Sequence, residues 1–78
     1  MGQVVTAVAG REAGARFVVI GREADRLLLA DGQKRSVAKP KRKNAMHVRI
    51  VQGLAMPPGA PLTDEEIRKT LRKTEEGG

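Results

Sequence analysis

Before residue 51 the apolar residues fall in short runs divided by glycine, proline or charge, and beyond it they thin to a stripe. Gln3 to Ala9 is rich in Val and Ala. Its alternation sets Val4, Thr6 and Val8 on one face and Val5, Ala7 and Ala9 on the other, which predicts a strand. Neither face is strongly polar, so both are expected to be partly covered, as in a small closed barrel. Gly10-Arg11-Glu12-Ala13-Gly14 interrupts the run. Two glycines framing polar residues predict a hairpin loop in which one or both take positive φ. Arg16-Phe17-Val18-Val19-Ile20 is β-branched and aromatic and predicts a second strand, kinked or ended at Gly21.

Arg26-Leu27-Leu28-Leu29-Ala30 follows the turn Glu23-Ala24-Asp25 and predicts a third strand. Asp31-Gly32 is the dipeptide favoured by a two-residue type I′ turn, which predicts a hairpin returning through Lys34-Arg35-Ser36-Val37. Pro40 ends that pairing, leaving Lys41-Arg42-Lys43-Asn44 as an exposed arm. In Met46-His47-Val48-Arg49-Ile50 the apolar residues Met46, Val48 and Ile50 alternate with His47 and Arg49. This predicts a half-buried last strand that closes a five-stranded barrel.

Residues 52–62 are rich in proline and glycine and are expected to form a linker. Thr63-Asp64-Glu65-Glu66 is a capping box, with Thr63 capping the Glu66 amide. It opens a short helix over 63–74, with Leu62, Ile67 and Leu71 as a narrow apolar stripe. A helix of this length does not hold alone in water, so it must dock or flicker. Residues 75–78 are expected to be a disordered tail. The domain plan is therefore a barrel over 1–51, a linker, a helix and a tail.

Charge changes the picture more than composition does. Residues 1–33 carry four positive and four negative side chains, and residues 51–78 carry four positive and five negative. Between them, residues 34–50 hold seven cations and no acid: Lys34, Arg35, Lys39, Lys41, Arg42, Lys43 and Arg49. The net charge of +6 thus resides in one block, the footprint of a polyanion-binding surface. The competing interpretation is a solvated loop made basic for solubility. Phe17 is the one aromatic residue, so the stacking platform of many single-strand binders is absent. Any nucleic-acid binding should rest on charge, backbone amides and shape.

The 78 residues suffice for one small domain, which buries only about 60% of its unfolded surface. No cysteine is present, which fits a reducing cytoplasm and removes disulfides and thiolate metal sites. No apolar run approaches the ~20 residues of a membrane span, and no secretion signal is visible. No nucleophile–base pair, metal cluster or phosphate loop is evident, so enzymatic activity, a cofactor and a small-molecule substrate are not expected. His47 has no visible catalytic or metal-binding partner and is expected to be a surface or packing residue able to hydrogen-bond RNA. Asn44 is expected to end the basic arm first and contact RNA second.

Two stretches carry a family resemblance. Gly2-Gln3-Val4-Val5, then Ala9-Gly10-Arg11-Glu12-Ala13-Gly14, then Phe17-Val18-Val19 resembles the KOW motif of SH3-like barrels in ribosomal proteins and transcription elongation factors. Many such motifs have a further glycine three residues after the position of Gly14, where this chain has Phe17. That departure is similar to the subtype opening the large-subunit ribosomal proteins of the fourteen-e type and their small bacterial relatives. The run Val37-x-Lys39-Pro40-Lys41-Arg42-Lys43-Asn44-x-x-His47-Val48 resembles the same subtype.

The resemblance covers residues 2 to 50. It implies a mainly β protein with a five-stranded SH3-like (KOW) barrel. It also implies a non-enzymatic, ribosome-associated role in which rRNA phosphates meet the basic residues, Asn44, His47 and the Gly10–Arg11 end of the loop. A cytoplasmic monomer is expected. The alternative is a KOW protein-interaction module acting in transcription elongation or translation. Charge alone does not separate RNA from DNA, although no recognition helix carries the basic residues.

Overall fold

The computed structural model describes residues 1–76, the last two by backbone alone. The chain is mainly β: a five-stranded antiparallel sheet and one C-terminal helix. The strands are β1 (Gln3–Ala7), β2 (Arg16–Glu23), β3 (Arg26–Ala30), β4 (Lys41–Asn44) and β5 (Val48–Ala55). Their order across the sheet is β4-β3-β2-β1-β5, so the last strand lies beside the first and β4 and β5 form the edges. The helix α1 spans Asp64–Glu76. It is not long and apolar enough to cross a membrane, and neither is any other helix among the described residues.

Both faces of the central strands are buried, as their unbroken apolar runs require. Adjacent residues Val4 and Val5 are each fully buried, so they cannot share a face. Val4, Val18 and Ala30 pack with Met56 and with Ile67 and Leu71 of α1. Val5, Ala7, Phe17, Val19 and Leu29 form a second cluster on the other face, with Ala15, Leu27 and Val48 at its margin. Two register shifts, between Gln3 and Val5 and between Val19 and Gly21, lie in the ladders of β1 and β2. Such bulges bend and twist a strand. The helix contributes to the first cluster only.

The helix begins as its sequence predicts. The Thr63 hydroxyl accepts the Glu66 amide at 3.3 Å, and the Thr63 carbonyl accepts that of Ile67 at 2.9 Å. Its buried side is Ile67, Thr70, Leu71 and Thr74, a face at helical spacing, and the Thr74 hydroxyl is satisfied by the Leu71 carbonyl at 2.7 Å. Leu62, expected in the stripe, is exposed. The helix extends over Glu75 and Glu76, which were expected in the tail; Gly77 and Gly78 lie outside the described residues.

Several expected boundaries are corrected. The two-residue hairpin loop is Ala24-Asp25, between the paired Glu23 and Arg26, and not Asp31-Gly32. Ala24 takes φ +57, a left-handed conformation that glycine would hold without strain. Residues 32–39 form no strand. Asp31 instead bends the chain by accepting the amides of Gln33 at 2.8 Å and Arg35 at 2.9 Å, a side-chain alternative to a ladder. The fourth strand is the expected arm itself: Lys41 to Asn44 pairs residue by residue with Leu29 to Arg26. Ala45–His47 is a 3-10 turn capped by the Asn44 side chain, which accepts the Met46 amide at 2.9 Å. Met46 and Ile50, expected in the half-buried face, are 83% and 65% exposed, because one lies on that turn and the other on an edge strand. Strand β5 runs to Ala55, into the stretch expected as linker.

Candidate functional site

The Gly10–Gly14 loop joins β1 to β2 and folds back on itself. The Gly14 amide donates to the Ala7 carbonyl at 2.7 Å, and that of Ala13 donates to Gly10 at 3.2 Å. Both glycines take positive φ, +83 and +91, as their spacing predicts. The loop carries Glu12 toward β4 and toward the bend after Asp31. There the Glu12 carboxylate accepts Lys41 Nζ at 2.6 Å and the Arg35 guanidinium at 3.1 Å. The hydrogen bond from Lys41 holds the Glu12 carboxyl below its ordinary range; partial burial opposes this, and the Arg35 hydrogen bond adds to it.

These contacts make a shallow concavity of about 380 Å³ lined by Gly10, Arg11, Glu12, Lys34, Arg35, Lys41 and Lys43. Five of those side chains are cationic and one is anionic. Side chains alternate along a strand, so Lys41 and Lys43 project to one face of β4 and Arg42 to the other. Their partners in register agree: Lys41 and Lys43 oppose Leu29 and Leu27 of the second core cluster. Lys43 Nζ lies so close to Gly10 that a Cβ there would meet it at 3.3 Å. The bare glycine therefore leaves both the ammonium and the loop backbone accessible.

Of the expected contact residues, Gly10, Arg11, Lys34, Arg35, Lys41 and Lys43 come together here. Lys39, Arg42, Asn44, His47 and Arg49 do not. Arg42 pairs with Glu23 at 3.2 Å, with both side chains largely exposed. Arg49 sits in register with Thr6, which in turn opposes Arg16 of β2. Asn44 spends its side-chain oxygen on the cap, and the His47 carbonyl accepts the Val8 amide at 2.9 Å. The single ridge expected from the charge block is thus divided between the faces of the sheet. Lys34, Lys39, Lys43 and Arg49 meet no carboxylate among the described residues.

The residue not foreseen is Glu12. It was legible only as a polar residue between two glycines, since its partners lie 23 and 29 positions downstream.

A concave surface with an excess of fixed cations concentrates field lines and favours polyanions. Lysines supply mobile point charges, and Arg11 and Arg35 supply planar donors suited to phosphate oxygens. No protein-family model matches the chain, and no curated protein matches it either.

Proposed function

We propose that this protein is a non-enzymatic RNA-binding module that associates with the ribosome by gripping rRNA phosphates in the Gly10–Lys43 concavity. The observation that carries this is the gathering of Arg11, Lys34, Arg35, Lys41 and Lys43 around one carboxylate. These side chains come from a hairpin loop, a bend and an edge strand. Mere solubility does not require separate elements to converge on one hollow. The placement of β5 beside β1, with both faces of the central strands buried, supports an SH3-like barrel of the KOW kind. The KOW resemblance in turn supplies the ribosome, where charge supplies only a polyanion.

Binding of a labelled RNA stem-loop, titrated across salt concentrations, tests this. Each neutralised phosphate contributes about 0.7–0.9 to the slope of log affinity against log salt, so the wild type should fall with a slope of about −3 or steeper. Lys34 and Lys43 meet no carboxylate among the described residues, so Lys34→Gln with Lys43→Gln should spare the fold. That double variant should weaken binding roughly 25- to 60-fold at ~0.1 M salt and flatten the slope by about 1.5. Unchanged binding in that variant would remove the concavity from the RNA surface. Sedimentation of the protein with ribosomes at low salt, and its release at high salt, tests the ribosomal part.

The interaction-module alternative draws on a different observation. Val8, Met46 and Ile50 are exposed near the paired ends of β1 and β5. A protein partner held there would survive the salt that strips RNA.

A further inference from the structure

The Gly10–Lys43 hollow does not end at its own rim. A second hollow of about 360 Å³ shares Arg11, Glu12 and Lys34 with it and continues past Ala13, Ala15 and Phe17 to Asp31 and Gln33. A third, of about 490 Å³, shares Ala15, Asp31 and Gln33 with the second and ends at Arg16, Arg68, Leu71 and Arg72. Together they make one trough between the Gly10–Ala15 loop and the Asp31–Arg35 bend. Cations stand at both ends of it, and its middle is Ala13, Ala15, Phe17, Gln33 and the Asp31 carboxylate, whose Oδ1 accepts the amides of Gln33 and Arg35.

The far end is an arginine cluster from two elements. Arg16 opens β2 and donates from Nη1 to the Thr74 carbonyl at 3.1 Å, near the end of α1. Arg68, one turn before Arg72 on the helix, donates from Nη1 to the Gly32 carbonyl at 2.5 Å. Each of these contacts uses one terminal nitrogen and leaves further donors of a five-donor guanidinium for a ligand. The basic block does not reach this cluster, because Arg16, Arg68 and Arg72 lie outside residues 34–50. Of the three, only Arg72, among the cations of the helix, could be read from the sequence as an extension of the RNA surface. Lys69, on the same helix, is turned to Glu65 and Glu66 at 3.8 and 3.7 Å and does not line the trough.

We infer that Arg16, Arg68 and Arg72 form a second phosphate-binding cluster, and that one RNA backbone lies along the trough and engages both ends at once. This rests on the RNA-binding function proposed above and extends it to the helix. Docked α1 is then part of the binding surface as well as the cover of a core face. The spacing is feasible for one ligand, since the whole molecule measures only 26 × 25 × 21 Å. Two clusters on one ligand act as linked sites, so each raises the effective concentration for the other.

Arg72→Gln and Lys69→Gln remove the same charge from one helix three residues apart, one inside the trough and one outside. With the labelled RNA stem-loop as probe, Arg72→Gln should weaken Kd about five- to eight-fold at ~0.1 M salt and flatten the salt slope by about 0.7–0.9. Lys69→Gln should leave both within about two-fold, as expected for a charge already paired on the surface. Arg16→Gln added to Arg72→Gln should deepen the loss, with thermal melting used to verify that the sheet is intact.

Equal, small effects of Arg72→Gln and Lys69→Gln, in a protein whose Lys34→Gln, Lys43→Gln variant is impaired, would overturn the second cluster and leave the first standing. Absence of salt-dependent RNA binding by the wild type would overturn both.

Discussion

Glu12 holds two of the five cations that would meet a phosphate, so it stabilises the fold and competes with the ligand. Its pKa is lowered in the folded protein by Lys41 and Arg35. A lowered folded value means its contribution is complete above the ordinary carboxylate pKa and is lost as pH falls from there through the folded value. The pairs are partly solvated, with Glu12 23% and Arg35 41% exposed in their side chains, so the contribution is at the modest end, about 0.5–1 kcal/mol. Glu12→Gln should therefore lower the melting temperature slightly at neutral pH, and the gap to wild type should close in acid below the carboxylate range. The same substitution frees Lys41 and Arg35, so RNA should bind several-fold tighter at low salt. Weaker binding by Glu12→Gln would mean that the carboxylate orients the cations for the ligand and does not compete for them.

The elements differ in how much of themselves they disclose locally. Strand β2 is apolar over Phe17–Ile20 and β-branched over Val18–Ile20, and α1 opens on a Thr-capped acidic turn, so both are legible. Strand β4 is not, because Lys41-Arg42-Lys43-Asn44 has neither alternation nor strand propensity. It is extended because Leu29 to Arg26 offers an unpaired ladder, a tertiary cause that overrides local preference. Its lysines also suit an edge, where charge discourages pairing with another chain. The Asp31-Gly32 dipeptide misleads for the opposite reason: the Asp31 carboxylate captures amides that a hairpin would have left to a partner strand. At the site, the cations of the basic block were visible, but the division of Arg42 from Lys41 and Lys43 follows from strand alternation and needed β4 to be known.

The helix depends on its dock as a 13-residue element, near the length at which isolated helices are marginal. Ile67 is fully buried against the sheet, and Ile67→Ala should cost about 2–5 kcal/mol. Because α1 covers a core face, helix and sheet should unfold in one transition, read by circular dichroism and by backbone amide NMR signals. Loss of helical signal at a temperature where the sheet amides persist would contradict that coupling.

At the scale of the molecule, sheet, bend and helix meet at Gly32. It is buried with φ +79, and a Cβ added there would stand 2.5 Å from the Asp64 carbonyl oxygen and 2.7 Å from Arg68 Cγ. Around it, Arg68 donates to the Gly32 carbonyl, and the Asp64 carboxylate accepts the Val37 amide at 2.9 Å. The start of α1 therefore fixes the bend that carries Lys34 and Arg35 into the first cluster, and the bend fixes Arg68 in the second. Gly32→Ala meets both an unfavourable φ and backbone it cannot displace cheaply. The φ alone costs about 1–3 kcal/mol, and the bend or the helix must then shift. Such a shift separates the two cation clusters without removing a charge. Gly32→Ala should thus lower the melting temperature and, at a temperature where the variant remains folded, weaken RNA binding although the net charge is unchanged. Lys34→Gln with Lys43→Gln should do the reverse, weakening binding while melting as the wild type does. If folded Gly32→Ala binds RNA with wild-type affinity and salt slope, net charge is sufficient and the trough geometry is not used.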